Sequence, residues 1–177
     1  MLPRERPSSE PSERASTLRL PGSILQGIVA RVALAFLRIY LGIIFVIAAV
    51  PKLRGAFAMG LEDFLHHVAL QKAPDFYRGF VEQAVLPHVG FFAGVVPWTE
   101  LTIGVTLILG LGTRLSAAAA LVLLVNYMLA KGAWFWYPSS NDTAWAAVSL
   151  ALIIGAAGRT FGVDAMLARR WPRSPLW

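Results

Sequence analysis

The sequence predicts an all-α integral membrane protein: a bundle of four transmembrane helices with an amphipathic outer segment between helices 1 and 2. Three observations carry that expectation. Apolar residues make up 56% of the 177-residue chain and charged residues 15%, against about 25% charge in an ordinary soluble domain. The apolar residues fall in long blocks, as in segments solvated by hydrocarbon. Arginine gathers at the chain ends and at alternate block boundaries, the asymmetry that orients a multi-pass chain.

Composition also excludes chemistry. The chain has no cysteine, so it supplies no disulfide, thiolate metal site or dithiol couple of its own. The net charge of +6 does not point to nucleic acid, because the arginines flank apolar runs and serve membrane orientation there. The lipid bilayer is the expected partner. Residues 1–23, rich in Pro, Ser, Arg and Glu, have too little apolar surface to offset ordering and read as a disordered cytoplasmic tail. Residues 24–167 form the membrane domain, and 168–177 a basic cytoplasmic tail.

The first span is "RVALAFLRIYLGIIFVIAAV", Arg31 to Val50; twenty residues reach about 30 Å, the hydrocarbon thickness. Pro51 and Lys52 end the apolar run. Between residues 53 and 86 aromatics mix with charges at helical spacing, interrupted by Pro74. Two short amphipathic helices on the outer face satisfy that pattern. The second span runs from about His88 to Leu109, with Pro97 a candidate kink. "GLGTR", Gly110 to Arg114, is a turn. Leu115 to Ala130 is a third span whose small residues suit close packing. Trp134, Trp136 and Tyr137 read as an interfacial belt. Thr143 to Gly158 is a short fourth span, with Asp142 expected to cap it.

Four spans place ten arginines, among them Arg4, Arg31, Arg114, Arg159 and Arg170, on one side of the membrane. Only Lys52, Arg54, Lys72, Arg78 and Lys131 lie on the other. The larger set belongs inside, so both termini are expected in the cytoplasm at the inner or plasma membrane.

Three polar residues stand inside the spans: Arg38, Glu100 and Asn126. Counted from the inner ends, Arg38 lies about 10 Å deep and Glu100 about 15 Å, with Asn126 comparable. A lone charge at mid-bilayer costs about 2.5–3.5 kcal/mol on insertion scales. Glu100 escapes that cost by protonation, by pairing with Arg38 or by facing a wet pocket; pairing is the preferred expectation. Such a pair either fixes helix register inertly or belongs to a quinone, proton or small-anion site. The histidines carry less. His66 and His67 are adjacent and point apart, and His88 stands alone, so no metal site is expected.

The motifs now resemble the DoxX family of small four-span membrane proteins, and with it the related small DoxD subunit of thiosulfate:quinone oxidoreductase. The resemblance covers about Arg31 to Leu167. It rests on Arg38, Gly42 and Lys52 in "LRIYLGIIFVIAAVPKL"; on Pro97, Glu100, Gly104, Gly110 and Arg114 in "PWTELTIGVTLILGLGTR"; and on Asn141, Asp142, Gly158, Arg159 and Asp164 in the last segment. It implies an accessory or structural subunit of a membrane redox or electron-transfer assembly, non-catalytic alone. Its implied partners are other membrane or peripheral redox proteins. The alternative is a quinone-binding subunit of a thiosulfate:quinone-oxidoreductase-like enzyme. No cofactor is expected on this chain, a quinone excepted.

Overall fold

The computed structural model describes residues 21–55, 57–133, 140–155 and 157–171. All regular structure among them is helical. Helix α1 spans Pro21–Arg54 and α2 Phe57–Phe64; a π-helical turn, Leu65–Ala69, leads into the short α3, Leu70–Lys72. After Pro74 come α4, Asp75–Phe80, a second π-helical turn, Val81–Val85, and a 3₁₀ turn that runs into α5, Val89–Leu109. Then follow α6, Thr113–Ala130, α7, Asp142–Gly155, and α8, Val163–Arg170.

Among the described residues three stretches are long and apolar enough to cross a membrane: Leu25–Arg54, Asp75–Leu109 and Thr113–Ala130. Helix α7 is apolar but only 14 residues long, about 21 Å by helical rise. It stops at Gly155, short of the Gly158 end expected from hydropathy. The belt residues Trp134, Trp136 and Tyr137 lie outside the described residues, as does all of the N-terminal tail before Pro21.

Helix α1 starts ten residues before Arg31 and continues through Pro51 to Arg54, so Pro51 and Lys52 end the apolar run without ending the helix. Its N-terminal turns leave Leu25, Ile28, Val29 and Val32 exposed. The rest packs antiparallel against α5. Close approach is possible because glycine faces glycine: a Cβ on Gly42 would come within 2.8 Å of the Gly104 carbonyl oxygen, and one on Gly104 equally near the Gly42 oxygen. Two backbones in contact gain dispersion and exclude lipid. Helix α6 packs chiefly on α7. The core joins Leu41 and Phe45 of α1, Ile103 and Leu107 of α5, Ala117, Ala120 and Leu124 of α6, and Ala146 and Leu152 of α7.

The segment between the first two spans divides at Pro74 as the sequence suggests. Ala73 and Pro74 are extended, with ψ near 150°, because proline disfavours helix in the residue before it. The segment is not merely laid on the membrane. Leu65, Ala69, Tyr77, Val81 and Val85 are buried with Ala130 in a second core, roofing one end of the bundle.

At the other end α5 turns into α6 through Gly110 and Gly112, both left-handed at φ 66° and 56°. Leu111 N–H donates to the Thr106 carbonyl and Gly110 N–H to that of Leu107. This paired closure satisfies two orphan carbonyls and needs glycine at the αL position.

Candidate functional site

Two polar constellations lie along α1, one at Arg38 near its middle and one at Lys52 near its C-terminus. The offset of fourteen positions between them corresponds to about 21 Å of helix.

At the Lys52 end the Glu100 carboxylate is almost wholly buried, with 1% of its surface exposed. Lys52 Nζ donates to both carboxylate oxygens, at 2.5 and 2.7 Å, and the Tyr127 hydroxyl donates to Oε1 at 2.7 Å. These charge-assisted bonds are what make a carboxylate tolerable at this depth. Between Gly42 and Lys52 α1 rises about 15 Å, but α5 rises only about 6 Å between Gly104 and Glu100. The lysine therefore runs its side chain back into the bundle, opposite to the outward snorkelling usual near a span end. The ammonium lies 5.4 Å from the Phe57 ring centroid and 5.5 Å from that of Tyr127, close enough for cation–π attraction.

This ion pair borders a cavity of about 340 Å³. Its walls are mostly apolar, with Leu61 and Phe64 from the roof and Phe92 and Val96 from α5. Five polar side chains also line it: Lys52, Tyr127, Asn126, Tyr77 and Lys131. The Tyr77 hydroxyl donates to Asn126 Oδ1 at 2.5 Å, tying the roof to α6. Lys131, at the rim, is held by Asp142 at 2.6 Å. Both cations of the cavity thus carry their own counter-charge.

At the Arg38 end the guanidinium is fully buried. Its Nη1 donates to the carbonyls of Ala157 and Thr160 at 3.2 and 3.3 Å, and Nη2 to that of Phe161 at 3.0 Å. Asp164, also fully buried, accepts from Gly112 N–H at 2.7 Å and Thr113 N–H at 2.8 Å, capping α6 from outside its own helix. Asp164 N–H donates to the Gly110 carbonyl at 2.8 Å. Gly110 and Gly162 leave room for the guanidinium, since a Cβ on Gly162 would stand 2.6 Å from Nη1. Phe161, whose carbonyl Arg38 holds, takes a left-handed φ of 51°, a strained conformation for a bulky residue.

The Arg38–Glu100 pair is therefore corrected: the two residues bind different partners at different levels. Depth counted from Arg31 misplaced Arg38, because α1 begins at Pro21 and Arg38 lies level with the Gly110 turn. Glu100 stands ten residues from that turn, about 15 Å further along α5. Asn126 shares the cavity with the Glu100 cluster; Arg38 does not. Asp142 is corrected as well. It lies in the first turn of α7 rather than capping it, and Ser140 and Lys131 hold its carboxylate, each at 2.6 Å.

The other landmarks have structural places. Pro97 is buried within α5, Asn141 accepts the Trp145 N–H through its carbonyl, and Arg114 lies in the first turn of α6. The Arg159 side chain is outside the described residues. Among the described residues no group of three or more His, Asp or Glu side chains is placed to hold a metal ion. His67 and His88 are exposed on the roof, each ring bonded one turn back along its own helix. Sequence reasoning missed Tyr127 and Tyr77. The signal for Tyr127 was its place beside Asn126 in an apolar helix, since a buried tyrosine hydroxyl needs a partner.

Fold and cavity define a helical membrane protein with an internal Glu–Lys–Tyr cluster. The DoxX family's sequence model matches residues 33–132, more than half of the chain, and the protein belongs to the DoxX family. That match includes Lys52, Glu100 and Tyr127 together with the α5–α6 turn. No solved structure matches the chain.

Proposed function

We propose that the protein is a membrane subunit of a redox assembly and holds a neutral, ring-bearing amphipath of the quinone type in the cavity beside Lys52. The carrying observation is the charge compensation of that cavity. Its volume of about 340 Å³ falls in the range of small-molecule sites, which combine apolar walls with a few convergent polar groups. Lys52 and Lys131 are each paired to a carboxylate, so the pocket has no spare positive charge for an anion such as thiosulfate. The hydrogen-bonding groups at its polar edge suit a carbonyl or hydroxyl on an otherwise apolar molecule. Relation to the small DoxD subunit is part of this proposal, as is an accessory role without catalysis by the isolated chain. Four spans with both termini cytoplasmic complete it; that orientation rests on the arginine asymmetry, and a reporter fused after Trp177 reads it.

The test is binding of a short-tailed benzoquinone to the purified protein, followed by tryptophan fluorescence. Saturable quenching that thiosulfate does not compete is expected. Lys52→Met combined with Glu100→Gln, which removes both charges, should weaken it by at least about tenfold, the effect of losing one charge-assisted bond. Absence of saturable binding, or competition by thiosulfate, would sink the reading.

A further inference from the structure

A second concavity lies on the outside of the bundle, at the Arg38 end and away from the Lys52 cavity. It is a groove of about 390 Å³ between α5 and α6, closed at one end by Leu167 of α8. Thr99, Thr102, Thr106 and Ser116 line it, which by sequence alone makes it look polar. In the structure those hydroxyls are all satisfied internally. Thr99, Thr102 and Thr106 donate to carbonyls of α5 at 2.7–2.8 Å, and Ser116 donates to the Thr106 oxygen at 2.8 Å. An occupant of the groove therefore meets methyl groups and the side chains of Leu115 and Leu167, and needs no polar atoms of its own. From Thr99 to Leu109 α5 rises about 15 Å, half the hydrocarbon thickness and so the depth of one leaflet.

The closed end of the groove carries the opposite chemistry. Leu167 lines it, and Arg170, three positions on, shares that side of the helix; Trp171, just past the helix end, donates its N–H to the Leu167 carbonyl at 2.8 Å. Both are exposed, and the Arg170 guanidinium lies 5.9 Å from the Trp171 ring centroid. Arg169 is exposed beside them, while the acid of α8, Asp164, is buried as the cap of α6. The exposed surface of α8 is thus cationic, with an indole of the kind that favours the headgroup level. The Asp164 bonds fix it to the mouth of the groove.

We infer that this groove and the arginines of α8 form a binding site for an anionic phospholipid, with one acyl chain along α5 and α6 and the phosphate at Arg169 and Arg170. Phosphate accepts from guanidinium in a charge-assisted way, and a basic juxtamembrane cluster favours anionic over zwitterionic headgroups. The site is independent of the Lys52 cavity, and neither reading requires the other.

The test uses the full-length protein in detergent, given equal amounts of phosphatidylglycerol and phosphatidylcholine of the same chain length, with retained lipid counted by native mass spectrometry. The wild type should retain the anionic lipid in roughly tenfold or greater preference, the scale expected for two surface arginines. Arg169→Gln with Arg170→Gln, on an exposed helix face, should bring that ratio close to one. Thr102→Phe should fill the groove and reduce retention of both lipids, while Thr102→Val should leave retention unchanged and shows that the hydroxyl itself is not read. Equal retention of the two lipids by the wild type would overturn the inference, as would an undiminished preference in the double arginine variant. If Thr102→Phe left lipid retention intact but converted an oligomer to monomer, the groove would belong to a second copy of the chain and the lipid site would be rejected.

Discussion

Glu100 shows how far a residue can be read before its neighbours are known. A carboxylate in an apolar run demands compensation, and the structure supplies it from Lys52 and Tyr127. The demand was legible in the sequence; the supplier was not. Arg38 was the natural partner because depth counted along the spans brought it near Glu100; Lys52 instead turns inward, the reverse of what a lysine at a span end usually does. Breaking a buried pair from one side strands the other charge, so Glu100→Gln and Lys52→Met should each destabilise the protein in detergent by about 3–5 kcal/mol. The double substitution should cost less than their sum, with a coupling of about 0.5–3 kcal/mol. Glu100→Gln and Arg38→Met should instead add, because the two residues share no partner. Melting curves for the wild type and these five variants settle the pairing, and coupling between Arg38 and Glu100 would contradict their separate partners.

At the scale of elements, what the sequence makes plain is whatever depends on local rules. The α5–α6 turn follows from two glycines flanking Leu111, and the break at residues 73–74 from one proline. Pairings distant in the chain are less legible. Asp164 looks like a cap for its own helix, yet it caps α6 from 51 residues away. The roof is similar: its amphipathic spacing gives helices, while the Tyr77–Asn126 bond joins it to a residue 49 positions further on. Gly104 belongs with the legible features, because a small residue in a span marks a close helix crossing. Gly104→Leu should lower the melting temperature markedly without altering membrane insertion, since a Cβ there already meets the Gly42 carbonyl oxygen and the Val46 backbone nitrogen within 3 Å. An unchanged melting curve would mean that α1 and α5 do not cross at this point.

For the whole molecule, class and family are carried by hydropathy and spaced motifs, whereas the two-ended arrangement of buried charge appears only once α1 is seen to run from Pro21 to Arg54. Helix α7 adds a further consequence. With 14 residues it rises about 21 Å, and α5, with 21 residues, about 31 Å. A bilayer whose hydrocarbon is about 30 Å thick matches one wall of the bundle and overshoots the other. If α7 crosses it, the lipid beside that wall must thin, at a cost of fractions of a kcal/mol for each ångström of mismatch. The protein should therefore be more stable in vesicles of short-chain than of long-chain phosphatidylcholine, measured by thermal unfolding after reconstitution. A stability maximum at long chains would show that α7 does not bridge the leaflets. Otherwise the bundle deforms its surroundings on one side only, and a wedge of thinned membrane of that kind draws together any other protein that thins the bilayer.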